Sequence, residues 1–316
     1  MALDHYVSQV HLRNFYSPKL RGQMHAIRKS DLKKFPCTSE SVCRIEEGST
    51  NAYLIEDRVI EEFLKSIEPK YNASVAVLLE GKPDSACVHA IAGFAAYVSS
   101  CAPAAMRIHS EPLESLIQTE VEILEKQGSL TKAPASLGGK SLSELLAEGT
   151  IKATIDPKFP QAVGISTILS RTSVFGNSRW EILSNPEPES PFFTSDYPVA
   201  LEKISGRQNP NWIVPLAPNL AIRIVPDEAL RGAQDDLTFS RFRFSTRSIS
   251  HQEIRAANGL IVRSAESLVF YRDDRDWVEK FVEKNRAFRI ESVTDRIDVG
   301  DGVLNISRQR LAPVKS

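Results

Sequence analysis

The sequence predicts an α+β protein in which a helical subdomain packs on a mixed or antiparallel sheet. Three observations carry this. Apolar residues recur at three- and four-residue spacing through much of the first half, short β-branched and aromatic runs broken by turn residues fill the second half, and no internal repeat relates the two. The expected organisation is a single α+β domain over 1–272, with a helical insert over about 57–172, and a C-terminal helix-and-strand extension over 273–316.

Taken in order, residues 1–34 hold seven Lys and Arg against two Asp, and residues 35–62 reverse this with two Arg against seven Asp and Glu. Adjacent blocks of opposite sign are expected to pair or stay solvated rather than to form separate binding surfaces. From Arg58 to Lys82 an apolar stripe (Ile60, Phe63, Leu64, Ile67, Tyr71, Val75, Leu78) predicts an amphipathic helix, with Asp57 placed to cap it. Ser85 to Met106 is rich in Ala, Gly and Ser, which lets a second helix approach closely, and Pro103 should bend or end it. Glu111 to Lys126 repeats the amphipathic pattern, Gln127 to Lys140 reads as a surface loop, and Pro160 to Arg171 as another helix. Trp180–Leu183, Phe192–Ser195, Trp212–Val214, Ala221–Val225 and Phe239–Phe244 read as strands of one sheet. Helical spacing returns over Ile249–Ser264 and Asp276–Lys284, and Phe288 to Ile306 closes with strand-like alternation.

The 316 residues are 42% hydrophobic and 25% charged, an ordinary globular composition that excludes a disordered or collagen-like chain. Lys and Arg number 39 against 40 Asp and Glu, so any affinity for nucleic acid or an anionic surface must come from a local patch. Four cysteines without a Cys-x-x-Cys pair fit a reducing cytosol, and no secretory signal is visible in the first residues; a cytoplasmic protein is expected. The longest apolar stretch, Ile91 to Val98, falls far short of the roughly 18 residues a bilayer requires, so no membrane is expected as a partner.

Familiar signatures fail. Gly138-Gly139-Lys140-Ser141 resembles the end of a phosphate-binding loop, but the required earlier glycine is Pro134. No His-Glu-x-x-His, Gly-x-Ser-x-Gly or paired-cysteine zinc motif occurs. Asp57 with Glu68-Pro69-Lys70 imitates a nuclease's acidic pair and lysine, but sits on the amphipathic helix rather than on a strand hairpin.

Three segments remain. His5, Gln9 and Arg13 are spaced by four and share a face in a strand or a helix, offering a proton-handling imidazole beside a cation able to grip phosphate or carboxylate. The plainer alternative makes them surface or core-edge residues bonded to backbone. Pro191-Phe192-Phe193-Thr194-Ser195-Asp196-Tyr197-Pro198 is an apolar strand ending in a polar triplet, which can present Asp196 to a cleft as a base or metal ligand, or can cap its own turn. In Phe239 to Arg247, Arg241, Arg243 and Arg247 fall on one strand face and Phe242 and Phe244 on the other, a pattern that suits a solvated face or a phosphate contact.

Together the His5-Tyr6-Val7 start, Leu12-Arg13-Asn14-Phe15, Ser66-Ile67-Glu68, Thr194-Ser195-Asp196-Tyr197-Pro198-Val199, Pro215-Leu216-Ala217-Pro218 and Asn258 resemble the bacterial domain-of-unknown-function family 4238 over roughly His5 to Tyr271. The resemblance implies that His5, Arg13, Glu68, Asp196 and Asn258 fall on the family's marked polar positions. It supplies no activity. Three positions depart from the family pattern: Ser8 and Tyr197 stand where a proline and an asparagine are usual, and Cys101-Ala102-Pro103 replaces an Arg-Thr-Pro, so an anion contact is lost or is taken over by Arg107.

The reading that results is an intracellular hydrolase acting on an anionic or phosphate-bearing substrate, a small molecule or a nucleic acid. His5 would be general acid or base, Asp196 and Glu68 bases or ligands to magnesium or manganese, and Arg13, Gln9, Asn258, Arg241 and Arg243 substrate contacts. The competing class is a non-catalytic binding or adaptor domain in which the same polar residues form a structural network.

Overall fold

The Ala, Gly and Ser content of the central helix sets the packing of the helical half. The computed structural model describes residues 3–207, 209–230, 232–300 and 302–314. The chain opens with β1 (Leu3–His5), α1 (Gln9–Arg13), β2 (Met24–Arg28), β3 (Lys34–Cys37) and β4 (Arg44–Glu46), then runs through α2 (Val59–Leu79), α3 (Ser85–Cys101), α4 (Pro103–Lys126), α5 (Leu142–Ala147), α6 (Lys158–Ser166) and α7 (Ile168–Asn177). Nearly every residue of α3 is buried. A Cβ on Gly93 would come within 2.9 Å of Ile67, so the bare glycine is what lets α2 lie this close to α3. Pro103 ends α3 and opens α4 after a 60° bend. Asp57 does not cap α2 as expected: Arg58 occupies the cap without a side-chain bond, and the Asp57 carbonyl accepts from the Asn51 N–H instead. The single helix expected over Pro160–Arg171 is two, broken at Thr167 where the backbone leaves helical geometry (φ −104°, ψ 9°).

The remaining elements are β5 (Arg179–Ser184), β6 (Thr194–Ser195), β7 (Ala200–Glu202), β8 (Asn211–Ala217), β9 (Leu220–Val225), β10 (Arg243–Ser248), α8 (His251–Ser264), β11 (Leu268–Tyr271), α9 (Asp276–Asn285), β12 (Phe288–Val299) and β13 (Gly302–Pro313). The fold is α+β. The strands expected in one sheet belong to two. A five-stranded mixed sheet has the order β10-β5-β9-β8-β7, with only β10 and β5 parallel, whereas β6 joins an antiparallel four-stranded sheet in the order β3-β2-β11-β6. The strand expected over Phe239–Phe244 begins at Arg243, because Phe239 sits at φ 58° and its carbonyl accepts from the Phe242 N–H in a turn. Phe242 packs edge-on to Trp180, but Phe244 remains half exposed, so the phenylalanine face expected there is only partly covered. β1 pairs with β4, and β12 with β13 forms a long C-terminal hairpin.

Two apolar clusters fill the interior. The larger joins α2, α3, the N-terminal segment and one face of the five-stranded sheet; the smaller holds Phe192, Phe193, Ile254, Ile261, Val278 and Val282 around α8 and α9. Among the described residues no single helix is long and apolar enough to cross a membrane. At Gly176 in α7 a Cβ would fall 2.3 Å from two carbons of the Phe239 ring. Gly176→Ala is therefore expected to cost about 2 kcal/mol through overpacking, read as a lower urea midpoint at constant slope; an unchanged midpoint would contradict this packing.

Candidate functional site

The triplet Thr194-Ser195-Asp196 is the meeting point of three elements distant in sequence. Thr194 Oγ1 lies 2.7 Å from His11 Nε2, and the other ring nitrogen of His11 is 2.7 Å from the Tyr71 hydroxyl. His11 is completely buried, stacked 4.7 Å from Phe94, and burial pushes its pKa down to about 3, so it is neutral. Ser195 Oγ accepts from the Tyr197 N–H. Asp196 Oδ1 accepts from the Glu266 N–H at 2.9 Å, and Oδ2 accepts from Ser267 and Leu268 at 2.8 and 3.0 Å. Burial pushes its carboxyl up to about 6, while these N–H groups and the nearby Lys29 charge pull the other way. Lys29 is itself buried, depressed to about 8 for that reason, and donates to the carbonyls of Ala265 and Phe288.

The other positions of interest fall into separate groups. Asn258 on α8 is buried; its Oδ1 accepts from the Phe193 N–H and its Nδ2 donates to the Pro191 carbonyl, each at 2.9 Å. His5 ends β1, with its Nδ1 buried and unpartnered, and the Tyr97 hydroxyl donates to its backbone carbonyl. Burial lowers the His5 pKa, assisted by Arg44, while the Val42 backbone, Glu68 and Asp4 act in the opposite sense. Gln9 and Arg13 share a face of α1 and bond at 3.0 Å, but the chain changes from strand to helix at Ser8, so His5 is not aligned with them as the four-residue spacing implied. Gln9 also accepts from Ser39, and Arg13 reaches Glu40 at 4.0 Å. Arg241 and Arg243 are exposed at the start of β10. Arg107 does not stand in for the arginine missing at Cys101. Its guanidinium holds Glu266 bidentately and Glu291 besides, fastening α4 to the C-terminal hairpin.

Glu68 and Asp196, expected as magnesium or manganese ligands, do not meet as such a centre. The oxygens of Asp196 are occupied by backbone N–H groups, and among the described residues no group of three or more His, Cys, Asp or Glu side chains is placed to hold a metal ion.

A pocket of about 520 Å³ between α8 and α9 holds the residues that the sequence reading missed. Trp277, Lys280, Phe281 and Lys284 follow one another by three, one and three along one face of α9, and His251, Arg255 and Asn258 by four and three along α8. That spacing was the available signal. Trp277 stacks on Phe193 at 5.6 Å and 15°, and meets Phe281 edge-on. His251, Arg255, Lys280 and Lys284 form no hydrogen bond or ion pair through their side chains with a described residue, and no carboxylate lines the pocket.

The fold is α+β, and Asp196 and Asn258 both bond backbone groups. The chain belongs to the family described as Protein of unknown function (DUF4238), which matches residues 4–275. No curated protein and no solved structure matches the chain.

Two consequences are measurable. Asp196→Asn keeps one acceptor but turns an amide N–H₂ toward the two N–H groups now bonded to Oδ2, and strips Lys29 of its counter-charge; stability should fall by about 3 kcal/mol. A urea midpoint equal to that of the wild type would refute the bonding described. On acidification His11, and His109 depressed to about 4 by burial, resist a proton that the unfolded chain accepts near 6.5, which removes stability; Asp196, raised to about 6, acts in the opposite sense but over a narrower span. The net loss between pH 6.5 and pH 4 should be roughly 3 kcal/mol, with His11→Asn showing a shallower acid limb in thermal melts.

Proposed function

We propose that this protein is a binding domain for an anionic, phosphate-bearing small molecule, held between α8 and α9, in which the family's polar residues are structural. The observation that carries the reading is the pocket's charge: Arg255, Lys280 and Lys284, with His251 beside them, surround an aromatic floor of Trp277 and Phe281, and no carboxylate lines the pocket. Cations brought together without partners repel one another, and an anion removes that cost. The volume, about 520 Å³, suits a nucleotide-sized ligand, whose ring would lie on Trp277 with its phosphate toward Lys280 and Lys284. Asn258, committed to Pro191 and Phe193, fixes α8 beside the pocket floor and is a positioning residue there.

Titration calorimetry with AMP, ATP and inorganic phosphate tests this. ATP should bind in the micromolar range, Lys280→Ala with Lys284→Ala should weaken it at least about tenfold, and Trp277→Leu should weaken AMP and ATP but not inorganic phosphate. Failure of all three probes to bind at millimolar concentration, or equal binding by the lysine double variant, would refute it.

One observation favours the hydrolase reading: the unpartnered Nδ1 of His5 lies in a segment where Glu68 acts on its charge. Under that reading RNA, DNA or a small phosphoester with magnesium or manganese is turned over by the wild type and at least about a hundredfold more slowly by His5→Ala. Equal rates, or none, across that panel would remove it.

A further inference from the structure

A second basic surface lies elsewhere on the molecule. Two grooves, of about 450 and 610 Å³, adjoin along the loop between β7 and β8, where Gly206 and Arg207 line both. Lys203, Arg207 and Arg310 line the first, with Arg310 supplied by the C-terminal hairpin, and Arg179, Arg207, Arg241 and Arg243 the second. All six cations are exposed. Only Arg179 has an ion-pair partner among the described residues, Glu181 at 3.2 Å. Of the carboxylates lining the grooves, Asp295 is paired with Arg308, which leaves Asp227 and Glu228 as two acids among the cations of the second groove.

We infer that this strip is a contact surface for the phosphodiester backbone of nucleic acid. Extent and chemistry both point to a polyanion. A compact anion is satisfied by two or three cations, whereas here they continue across two grooves on three separate parts of the fold: the β7–β8 loop, the β5–β10 edge and β13. A strand carrying one negative charge per roughly 3.4 Å engages such a row in register along its length. Five of the six are arginines, whose guanidinium matches phosphate bidentately. Neither groove is lined by an aromatic side chain, so bases have nothing to stack on; the contact is to phosphates and insensitive to sequence. This site shares no residue with the α8–α9 pocket and does not depend on the reading given for it.

The experiment is fluorescence anisotropy with a labelled 20-nucleotide single-stranded RNA and a labelled 20-base-pair DNA duplex, at salt concentrations from 50 to 200 mM. Both arms test one phosphate chemistry, and the tighter of the two identifies the form preferred. With three to five phosphates contacted, log K should fall against log salt with a slope of about −2 to −4.5, an affinity loss on the order of 100-fold at mid-range over that interval. Arg241→Glu with Arg243→Glu, and separately Lys203→Glu with Arg310→Glu, should each weaken binding at least tenfold. Their melting temperatures should stay at the wild-type value, since all four side chains are exposed; Arg310→Gln gives a milder variant that should lower the salt slope by about one contact. Lys280→Glu with Lys284→Glu should leave nucleic-acid binding unchanged while removing any ATP binding, which separates the two sites. The inference is overturned if neither nucleic acid binds at 50 mM salt, if the strip variants bind as the wild type does, or if polyglutamate or anionic phosphatidylserine vesicles bind as tightly as either nucleic acid.

Discussion

Much of the molecule hangs on the carboxylate of Asp196. A buried charge is tolerated only where hydrogen bonds and a counter-charge replace lost water, and Asp196 meets that demand with three consecutive backbone N–H groups, Glu266 to Leu268, and the nearby Lys29. These three residues lead from the cap of α8 into β11, so the carboxylate fixes the angle at which the chain turns from the helix into the middle of the four-stranded sheet. Lys29 bonds the last carbonyl beyond α8 and the first of β12, which extends the arrangement to the hairpin. Two residues earlier, Thr194 holds His11, and through it Tyr71, so the N-terminal segment and α2 are referred to the same short strand.

Two asparagines make comparable fastenings. Asn258 holds the chain at Pro191 and Phe193, and Asn14 donates to the Leu216 carbonyl within Pro215-Leu216-Ala217-Pro218. These side chains satisfy backbone groups in irregular segments that no ladder serves, and an unpaired group at such depth would cost more than most single contacts contribute. Basic side chains with no ion-pair partner among the described residues lie instead on faces of α8 and α9 and at the rim of the five-stranded sheet.

The sequence made the long helices legible because burying one face of a helix imposes a 3.6-residue period, visible at Phe63, Ile67, Tyr71 and Leu78. It made β5, β8 and β9 legible because their Ile, Val and Trp runs are bounded by turns. It hid β1 to β4, which span three to five residues each, too few to establish alternation, and it hid the assignment of β6, whose partner β11 lies some 75 residues downstream. Of the site, the polar triplet ahead of Tyr197-Pro198 was legible as the end of a strand, but whether the Asp196 carboxylate faces a cleft or a backbone depends on residues 266–268. His11 gave no local signal at all, since a buried neutral histidine looks in sequence like any other. The basic residues of the α8–α9 pocket keep a helical period, but each helix alone shows an ordinary solvated face, and only their packing makes a pocket of the two.

The order of strands β3-β2-β11-β6 has a consequence for how the chain is made. The central strands β2 and β11 pair Arg28 with Leu268, so about 240 residues separate the two halves of that ladder. On a ribosome adding roughly 5 to 20 residues each second, the β2–β3 hairpin emerges some 10 to 50 seconds before the strand that completes its sheet. During that interval β2 presents one unpaired edge, and Ala26 and Ile27, fully buried in the finished protein, are paired with β3 alone. The helices, built from local contacts, can form in the meantime. Synthesis therefore delivers the helical half early and leaves the sheet through Asp196 to close almost last.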